Sequence, residues 1–361
     1  METIEIEYDV AAAVYFPGQA VSGKVTIRNE RGLNALSLKI CVHGEARTFW
    51  RKFENELRRD KRGRYHRTNE HINLASRINY LEGVSKPWSS LDGLSNKIPA
   101  GVNIFPFTFQ LPFNSPPSFD GSHGNIRYSV QVELNRPWRF NAEKKRPFFV
   151  IPIVDLNTIP QSMSPMVGST CRHSGLLSHK EVRVRVSVPK RGFVPGELIP
   201  IRVHVENHAK RPIFETRARL VQHVHYSSQK EHSHLFPQEH CDKHWEHKRA
   251  ETRVSEVMKS VRVECCTGEH VELALLVPRP LVCSFKVPII EVDYCIQVLI
   301  GEGDKLKCEL PCVIGSVPTC QPLLNVAASQ QLPPPPYTIN SDDVTTPSAP
   351  ILEQPDVDEH F

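Results

Sequence analysis

The stretch GFVPGELIPIRVHVEN, residues 192–207, joins a Pro-Gly turn to a strand in which apolar and polar residues alternate. Such alternation places one row of side chains in a core and the other row in water. A similar stretch, YFPGQAVSGKVTIRN at residues 15–29, lies 178 residues earlier. In both, proline presets the turn and glycine adopts a backbone conformation that other residues resist. The two stretches therefore predict that one strand arrangement occurs twice in the chain.

A second match lies later in each half. The sequence YSVQV at residues 128–132 corresponds to YCIQV at residues 294–298, with a separation of 166 residues. The separation is twelve residues smaller than that of the first match, so the first copy contains a longer internal segment. We place that segment within residues 46–100.

Period-two alternation continues through both halves of the chain. Further alternating runs occupy residues 4–10, 36–42, 105–111, 126–134, 182–188 and 292–300. Short strands separated by Pro and Gly are typical of antiparallel β-sandwiches. We therefore predict an all-β fold of two tandem antiparallel, immunoglobulin-like β-sandwiches. Near-helical spacing of apolar residues predicts helical segments at two places only, residues 49–57 and 245–258.

Composition sets the expected domain boundaries. We place the N-terminal sandwich at residues 1–155 and the C-terminal sandwich at residues 181–317. Between them, residues 156–180 are rich in Ser, Pro, Thr and Gly and are expected to form a connector. The last 44 residues, 318–361, contain nine prolines and six acidic residues, and we expect them to be a disordered tail.

The charge is unevenly distributed. The whole chain has 44 basic and 40 acidic residues, but residues 318–361 contain six of the acids and no Lys or Arg. The remaining residues therefore carry 44 bases against 34 acids. A basic body favours anionic partners such as phosphorylated peptides or the inner membrane leaflet. The sequence contains no nucleic-acid-binding motif, so nucleic acid is not expected as a partner.

Several functional classes are excluded by the sequence pattern. No apolar window is long enough to span a membrane, and the start, METIEIEYDV, is not a signal-peptide pattern. The ten cysteines form no small-domain disulfide framework, which favours reduced, cytosolic thiols. The chain lacks a GxSxG sequence, a phosphate-binding loop and a dinucleotide fingerprint. We therefore predict a protein that is not an enzyme and needs no cofactor.

Five stretches of this sequence resemble the arrestin-domain-containing, or α-arrestin, family. They are YFPGQAVSGKV (residues 15–25), FPFTFQLP (105–112), GSHGNIRYSVQVELNRPW (121–138), GFVPGELIPIRVHVEN (192–207) and LPCVIGSVP (310–318). The resemblance implies two arrestin-type sandwiches and an adaptor that binds membrane receptors or transporters as cargo. It further implies recruitment of WW-domain HECT ubiquitin ligases, which leads to ubiquitylation, endocytosis and sorting of the cargo. Such a protein is expected in the cytoplasm, with recruitment to the plasma membrane and endosomes.

The tail contains the PPxY motif that this resemblance calls for, in the sequence PPPPY at residues 333–337. Consecutive prolines hold a polyproline II conformation without help from a fold, and WW grooves bind such a preformed rod. The resemblance assigns the contact to Pro334, Pro335 and Tyr337. A proline spacer that happens to end in tyrosine is the alternative. Relatives commonly carry two copies of the motif, whereas this chain has one, so avidity from a second copy is missing.

A second short motif follows at residues 347–350. Pro347, Ser348, Ala349 and Pro350 resemble the peptide that the ESCRT-I complex recognises in late-domain motifs. A chance match in a tail rich in Pro, Ser and Thr is the alternative interpretation.

The body contains two unusual clusters. Basic residues around 51–67 predict a contact with anionic cargo or lipid on a loop or short helix, or else an ordinary solvated segment. The residues that we assign to this contact are Arg58, Arg59, Lys61, Arg62 and Arg64. Residues 223–247 are rich in histidine, but the absence of a paired CxxC or an HExxH sequence argues against a metal site.

Two other functions remain open from the sequence. One is a structural sorting scaffold of the retromer-subunit type, which would share the fold without recruiting a ligase. The other is a metal-dependent enzyme in the second half, for which the histidine-rich segment is the only support.

Overall fold

The computed structural model describes residues 2–59, 65–89, 96–173, 181–230, 245–301 and 306–320; for 55–59, 65–70, 96 and 230 it describes the backbone alone. The strands of the first half are β1 Thr3–Tyr8, β2 Val14–Tyr15, β3 Ala20–Asn29, β4 Leu33–Ala35, β5 Ser37–Arg59, β6 Tyr65–Ser89, β7 Asn96–Ile98, β8 Gly101–Gln110, β9 Phe119–Gly121, β10 Gly124–Asn135 and β11 Ala142–Val150. Those of the second half are β12 Met166–His173, β13 Glu181–Val188, β14 Gly192–Phe193, β15 Leu198–Asn207, β16 Ile213–Lys230, β17 Trp245–Val263, β18 Thr267–Leu276, β19 Phe285–Val287, β20 Ile290–Ile300 and β21 Leu306–Ile314. The described residues include no helix of the length and hydropathy that a membrane span requires. The predicted all-β fold is confirmed.

Each half is a sandwich of two sheets. In the first half, the sheet β1-β3-β8 packs on a second sheet that contains β6, β5, β10 and β11 in that order. Tyr8 of β1 lies between them, with its ring centroid 5.9 Å from that of Phe148 in β11 and 6.2 Å from that of Phe107 in β8. All three side chains are buried. The alternating residues of the sequence therefore form the core, as their spacing predicts.

The second half repeats this arrangement in its main strands, without a counterpart of the two-stranded sheet β4-β7. The sheet β13-β15-β18 corresponds to β1-β3-β8, and the order β17-β16-β20-β21 corresponds to β6-β5-β10-β11. Even the parallel pairing of β2 with β11 recurs as the parallel pairing of β14 with β21. The second half has one additional strand, β12, on the edge of its smaller sheet. The predicted duplication is confirmed in these pairings.

The two Pro-Gly turns have matching geometry. Gly18 and Gly196 have φ angles of +83° and +88°, in the left-handed region that glycine adopts without steric cost. In each turn, the residue after glycine donates its backbone N–H to the carbonyl three residues before it, at 3.1 Å for both Gln19 and Glu197. The same two side chains then accept a hydrogen bond from the backbone N–H of Phe16 and of Val194, respectively.

A buried tyrosine closes the same loop in both sandwiches. The hydroxyl of Tyr128 donates to the carbonyl of Pro116 at 2.7 Å, and that of Tyr294 donates to the carbonyl of Val282 at 2.6 Å. In each case the acceptor lies twelve residues before the tyrosine. The Tyr128 bond is buried and the Tyr294 bond is partly buried, and each satisfies a carbonyl of the loop before the tyrosine.

Three segments differ from the sequence prediction. Residues 49–57 and 245–258 are strands, within β5 and β17, and the predicted helices are wrong. Each pairs along its length with a neighbouring strand, β5 with β6 and β17 with β16. The expected connector at residues 156–180 contains β12, which pairs with β13 from Met166 to His173. The longer internal segment of the first half lies mainly between β6 and β8, where residues 90–100 take the place of residues 264–266 between β17 and β18, inside the range that we assigned to it.

Candidate interaction surfaces

Most of the predicted site residues lie outside the described residues. These are Pro334, Pro335, Tyr337, Pro347, Ser348, Ala349 and Pro350 in the tail, together with Lys61, Arg62 and Arg64 in the body. Arg58 and Arg59 end strand β5, where their backbones pair with His66 and Tyr65. The predicted loop or short helix is therefore wrong for these two arginines, which lie at the end of a long hairpin.

The described part of this hairpin presents an aromatic and basic face. Phe49 and Phe53 are about half exposed, and Arg51 between them points to the same side because side chains alternate along a strand. Across the hairpin, His71 lies with its ring centroid 5.2 Å from that of Phe53. This face can offer stacking and charge to an anionic partner, and the sequence prediction included only its basic part.

The opposite face of the hairpin joins the two sandwiches. Strand β6 pairs with β16 through Ala75 and Gln229, which links the larger sheets of the two halves. The buried hydroxyl of Thr48 donates to the carbonyl of Ser227 at 2.9 Å. Farther along the hairpin, the ammonium of Lys52 lies 2.7 Å from a carboxylate oxygen of Glu246 in β17. The junction therefore consists of the backbone pairing of β6 with β16 and of polar side-chain contacts between the halves.

An aromatic group packs beside this junction. The ring of His123, in the loop before β10, lies 5.5 Å from that of Tyr226 and 6.3 Å from that of Trp50, edge to face in both cases. Burial lowers the pKa of His123, and the positive charge of Lys248 lowers it further. The imidazole is thus held neutral between the two sandwiches at neutral pH.

An apolar cavity of about 440 Å³ lies between the halves. The first half lines it with Val14, Pro117, Ser118 and residues 149–152, and the second half lines it with residues 280–283. Its volume falls in the range of small-ligand sites. Because its lining is almost entirely apolar, the cavity suits an apolar side chain better than a polar substrate.

The histidine-rich segment forms polar contacts on the strand faces. His223 is buried, with Nδ1 3.1 Å from Oδ1 of Asp293 and Nε2 3.8 Å from a carboxylate oxygen of Glu251. His225 places Nε2 3.0 Å from the other oxygen of Asp293. His247 contacts the hydroxyl of Ser227 at 2.9 Å. The remaining members, His232, His234, His240, Cys241 and His244, lie outside the described residues.

A different trio has the spacing of metal ligands. The ligand atoms of Cys171, His173 and Glu181 lie within 4.8 Å of one another on the edge strand β12 and its neighbour β13. Arg183 already pairs with the carboxylate of Glu181. The trio is largely exposed. We assign no metal to it, because the trio is largely exposed and one carboxylate oxygen of Glu181 is already paired with Arg183.

The buried cysteines are unsuited to nucleophilic chemistry. Burial raises the pKa of the Cys295 thiol to about 11 and raises that of Cys312 as well. Cys41, Cys283 and Cys308 are shifted in the same direction for the same reason. Since the thiolate is the reactive form, these groups act as small apolar core residues at neutral pH.

The junction contacts have no local signature in the sequence. Thr48 and Ser227 are 179 residues apart, and an isolated threonine within a strand gives no sign of a long-range partner. The aromatic face was partly detectable, since Phe49 and Phe53 stand out beside the basic cluster. We interpreted their spacing as helical, which concealed the face that they share with Arg51.

Comparison with known proteins gives two adjacent family matches. Residues 4–157 match the model described as arrestin (or S-antigen), N-terminal domain, and residues 178–319 match arrestin (or S-antigen), C-terminal domain. The first match contains nearly all of β1–β11 and the second contains β13–β21, while β12 lies between the two matches.

Three proteins that are named as arrestin domain-containing proteins are similar to this chain. The chain is 27% identical over 336 residues to arrestin domain-containing protein 17 of Caenorhabditis elegans, covering 90% of this chain and 72% of that protein. It is 27% identical over 317 residues to arrestin domain-containing protein 4 of Mus musculus, covering 86% and 70%, respectively. It is 24% identical over 359 residues to arrestin domain-containing protein 1 of Homo sapiens, covering 98% and 72%.

Proposed function

The chain belongs to the arrestin family, and from this premise we propose that it is an α-arrestin-type trafficking adaptor for membrane-protein cargo. In this proposal the sandwiches bind a receptor or transporter, and the tail recruits a WW-domain HECT ubiquitin ligase. The ligase then ubiquitylates the cargo, which promotes its endocytosis and sorting. The protein would act in the cytoplasm and at the plasma membrane and endosomes.

The observation that carries this proposal is the PPPPY sequence that follows an arrestin-type body. Polyproline II is formed by the prolines themselves, so a WW groove binds them at a low ordering cost. We propose that Pro334 and Pro335 fill the groove and that Tyr337 supplies the amphipathic anchor, while Pro336 occupies the free position. The protected, high-pKa thiols of the body agree with an adaptor that supplies no chemistry itself.

Two further contacts belong to the proposal. We propose that Pro347, Ser348, Ala349 and Pro350 bind ESCRT-I, which would connect the cargo to sorting or budding. We also propose that the basic end of the β5–β6 hairpin contacts anionic groups of the cargo or its membrane. The residues in this second contact are Arg58, Arg59, Lys61, Arg62 and Arg64.

The domain boundaries proposed for this function are the ones that composition indicates. The cargo-binding body would consist of the sandwiches at residues 1–155 and 181–317, joined by residues 156–180. The partner-recruiting tail would begin at residue 318. A chain ending at residue 317 should therefore keep cargo binding and lose ligase binding.

Binding of the full-length chain to isolated WW domains tests the ligase contact. Titration calorimetry should show binding by the wild type and no measurable binding by Tyr337→Ala. Pro336→Ala is the matched control, because it changes the neighbouring residue at the free position and should bind like the wild type. Equal affinity of Tyr337→Ala and the wild type would refute the proposal. Retained cargo sorting after deletion of residues 333–337 would instead favour a scaffold that needs no ligase.

A further inference from the structure

The loop between β10 and β11, residues 136–141, carries the two most exposed large apolar side chains in the described part of the chain. We call it the tip loop. The relative exposure of Trp138 is 102% and that of Phe140 is 95%. Burial of such rings is among the strongest apolar contributions available to a protein. Two neighbouring aromatic rings left entirely in water therefore indicate a surface that is completed by something else.

The tip loop is held in place by specific bonds. Arg136 donates from Nε and Nη2 to the carbonyl of Phe140, at 3.2 and 2.7 Å, which closes the loop on itself. Its Nη1 also donates to a carboxylate oxygen of Glu2 at 3.0 Å, which fixes the loop to the start of the chain. Trp138 has a φ angle of +60°, a left-handed conformation that is costly for a bulky residue. The fold thus holds Trp138 in an unfavourable backbone conformation while leaving its side chain unpacked.

Basic residues lie near the two rings along the chain: Arg139 is between them, and Lys144 and Lys145 follow in β11. Arg139, Lys144 and Lys145 are exposed, and none of them makes an ion pair or a side-chain hydrogen bond within the described residues. Glu143 is the one carboxylate among residues 136–146, and it accepts a hydrogen bond from Gln131 at 3.4 Å. The loop and the start of β11 therefore combine exposed aromatic rings with three basic side chains, and Glu133 of β10, opposite Glu143, adds one negative charge beside them.

The tip loop lies far from the junction of the sandwiches. Strand β10 begins at Gly124, which pairs with Thr48 at the junction, and ends at Asn135, directly before the loop. Twelve residues of strand place the loop about 35 Å from the junction. The second sandwich leaves this end of the molecule uncovered, and the basic end of the β5–β6 hairpin lies toward the junction end.

We propose that the tip loop inserts Trp138 and Phe140 into the headgroup region of an anionic membrane. Tryptophan is enriched at membrane–water interfaces, where its ring lies among the headgroups. Lys and Arg beside it are attracted by the negative surface potential of the cytoplasmic leaflet. The basic residues beside the protruding rings favour an anionic lipid surface as the occupant, because aromatic and basic side chains together match the headgroup region. The contact is separate from cargo binding and ligase recruitment, and it positions the first sandwich against the membrane that contains the cargo.

Vesicle sedimentation with the purified full-length chain tests this inference. The chain should sediment with vesicles of phosphatidylcholine and phosphatidylserine, and less with phosphatidylcholine alone. The double variant Trp138→Ser/Phe140→Ser should lower partitioning onto the anionic vesicles by about a hundredfold, since each ring contributes roughly a factor of ten. Arg139→Glu should lower it by more than about fivefold, as expected for reversal of one charge near the surface.

Phe113→Ser is the matched control. This phenylalanine is 87% exposed, but it lies beside Gly18 at the opposite end of the first sandwich. Its loss should leave vesicle binding unchanged. Neither Trp138 nor Phe140 packs in a core, so the double variant should keep the melting temperature of the wild type.

Quenching by brominated lipid locates the inserted ring. Anionic vesicles that contain brominated chains should quench part of the wild-type tryptophan emission, and Trp138→Phe should remove this quenching while retaining most of the binding. Tyr337→Ala should bind vesicles like the wild type, which separates this inference from the proposed ligase contact. Equal vesicle binding by the double serine variant would overturn the inference. Failure of the wild type to bind anionic vesicles would also overturn it. Binding of a purified cargo protein that is lost in Trp138→Ser would then assign the loop to a protein partner.

Discussion

The two buried tyrosines provide a quantitative test of the duplicated architecture. Tyr128 and Tyr294 are each about 1% exposed, and each hydroxyl donates to a carbonyl twelve residues earlier. Replacing either tyrosine by phenylalanine keeps the ring in the core but leaves that carbonyl without its donor. Loss of one partner from a buried hydrogen bond costs about 1–3 kcal/mol.

The expected losses differ between the two sites. For Tyr128→Phe we expect a cost near the middle of that range, about 1.5 kcal/mol, which lowers the melting temperature of a domain of this size by about 3–6 °C. Tyr294→Phe should cost more, because the hydroxyl of Tyr294 also accepts a hydrogen bond from Nε2 of Gln222 at 2.7 Å. In this variant, the side-chain amide of Gln222 would also lose the hydroxyl oxygen to which it donates.

Tyr15→Phe is the control for loss of a buried hydroxyl as such. Tyr15 lies in the same core as Tyr128, with 2% exposure, and its hydroxyl has no hydrogen-bond partner within the described residues. Its removal should leave stability unchanged or raise it slightly. Calorimetric melting of the three variants beside the wild type makes the comparison. A loss for Tyr15→Phe equal to that for Tyr128→Phe would refute the assignment of the stabilisation to the duplicated bond.

Three further predictions concern the junction and the buried thiols. Thr48→Val should destabilise the chain by about 1–2 kcal/mol, because it removes a buried hydrogen bond to Ser227. Lys52→Met should cost less than about 1 kcal/mol, since its ion pair with Glu246 is partly exposed. Urea unfolding measures both losses, and a larger loss for Lys52→Met would contradict the account of the junction. The pKa of His123 is lowered in the fold, so its contribution to stability is present above pH 6.5 and is lost as the pH falls further. On acidification, the free energy of unfolding should therefore drop less in His123→Phe than in the wild type. Identical pH profiles of this free energy in the two proteins would argue against the role of His123. The pKa of Cys295 is raised to about 11, so its contribution to folding stability is present below pH 9.0 and is lost as the pH rises toward 11. At pH 9, maleimide should modify the exposed Cys171 within minutes and Cys295 only after unfolding. Early modification of Cys295 in peptide mass spectra would contradict its burial.

The strands that were predictable from the sequence are those with one buried and one exposed face. In β15, for example, Ile199, Ile201, Val203 and Val205 are all buried while the residues between them are mostly exposed. The Pro-Gly turns were predictable for a related reason, because φ angles near +85° require glycine at Gly18 and Gly196. Local pattern and local geometry were sufficient for these elements.

The mistaken helices have a physical cause. In the outer part of β5, Trp50 is buried while Phe49 and Phe53 stay exposed on the other face. Apolar residues on both faces remove the period of two and produce a spacing that resembles a helix. In β17, most of the strand is exposed or half exposed and its pairing with β16 is interrupted by two register shifts. Only long-range pairing determines the structure of such segments.

Strand β12 could not be predicted because of its small side chains. A Cβ on Gly168 would approach Sγ of Cys308 to 2.7 Å, so the sheets are too close there for a larger residue. The small residues that we associated with a connector therefore allow β12 to pack closely against β21. In the same way, the tail motif was detectable as a string of residues, whereas the junction depends on contacts between distant residues.

The most direct test of the adaptor account is proximity labelling in cells with the labelling enzyme fused to the chain. The wild type should label WW-domain HECT ligases together with membrane proteins. Tyr337→Ala should lose the ligases and keep the membrane proteins, because only the tail contact is removed. Unchanged labelling of the ligases by Tyr337→Ala would contradict the account.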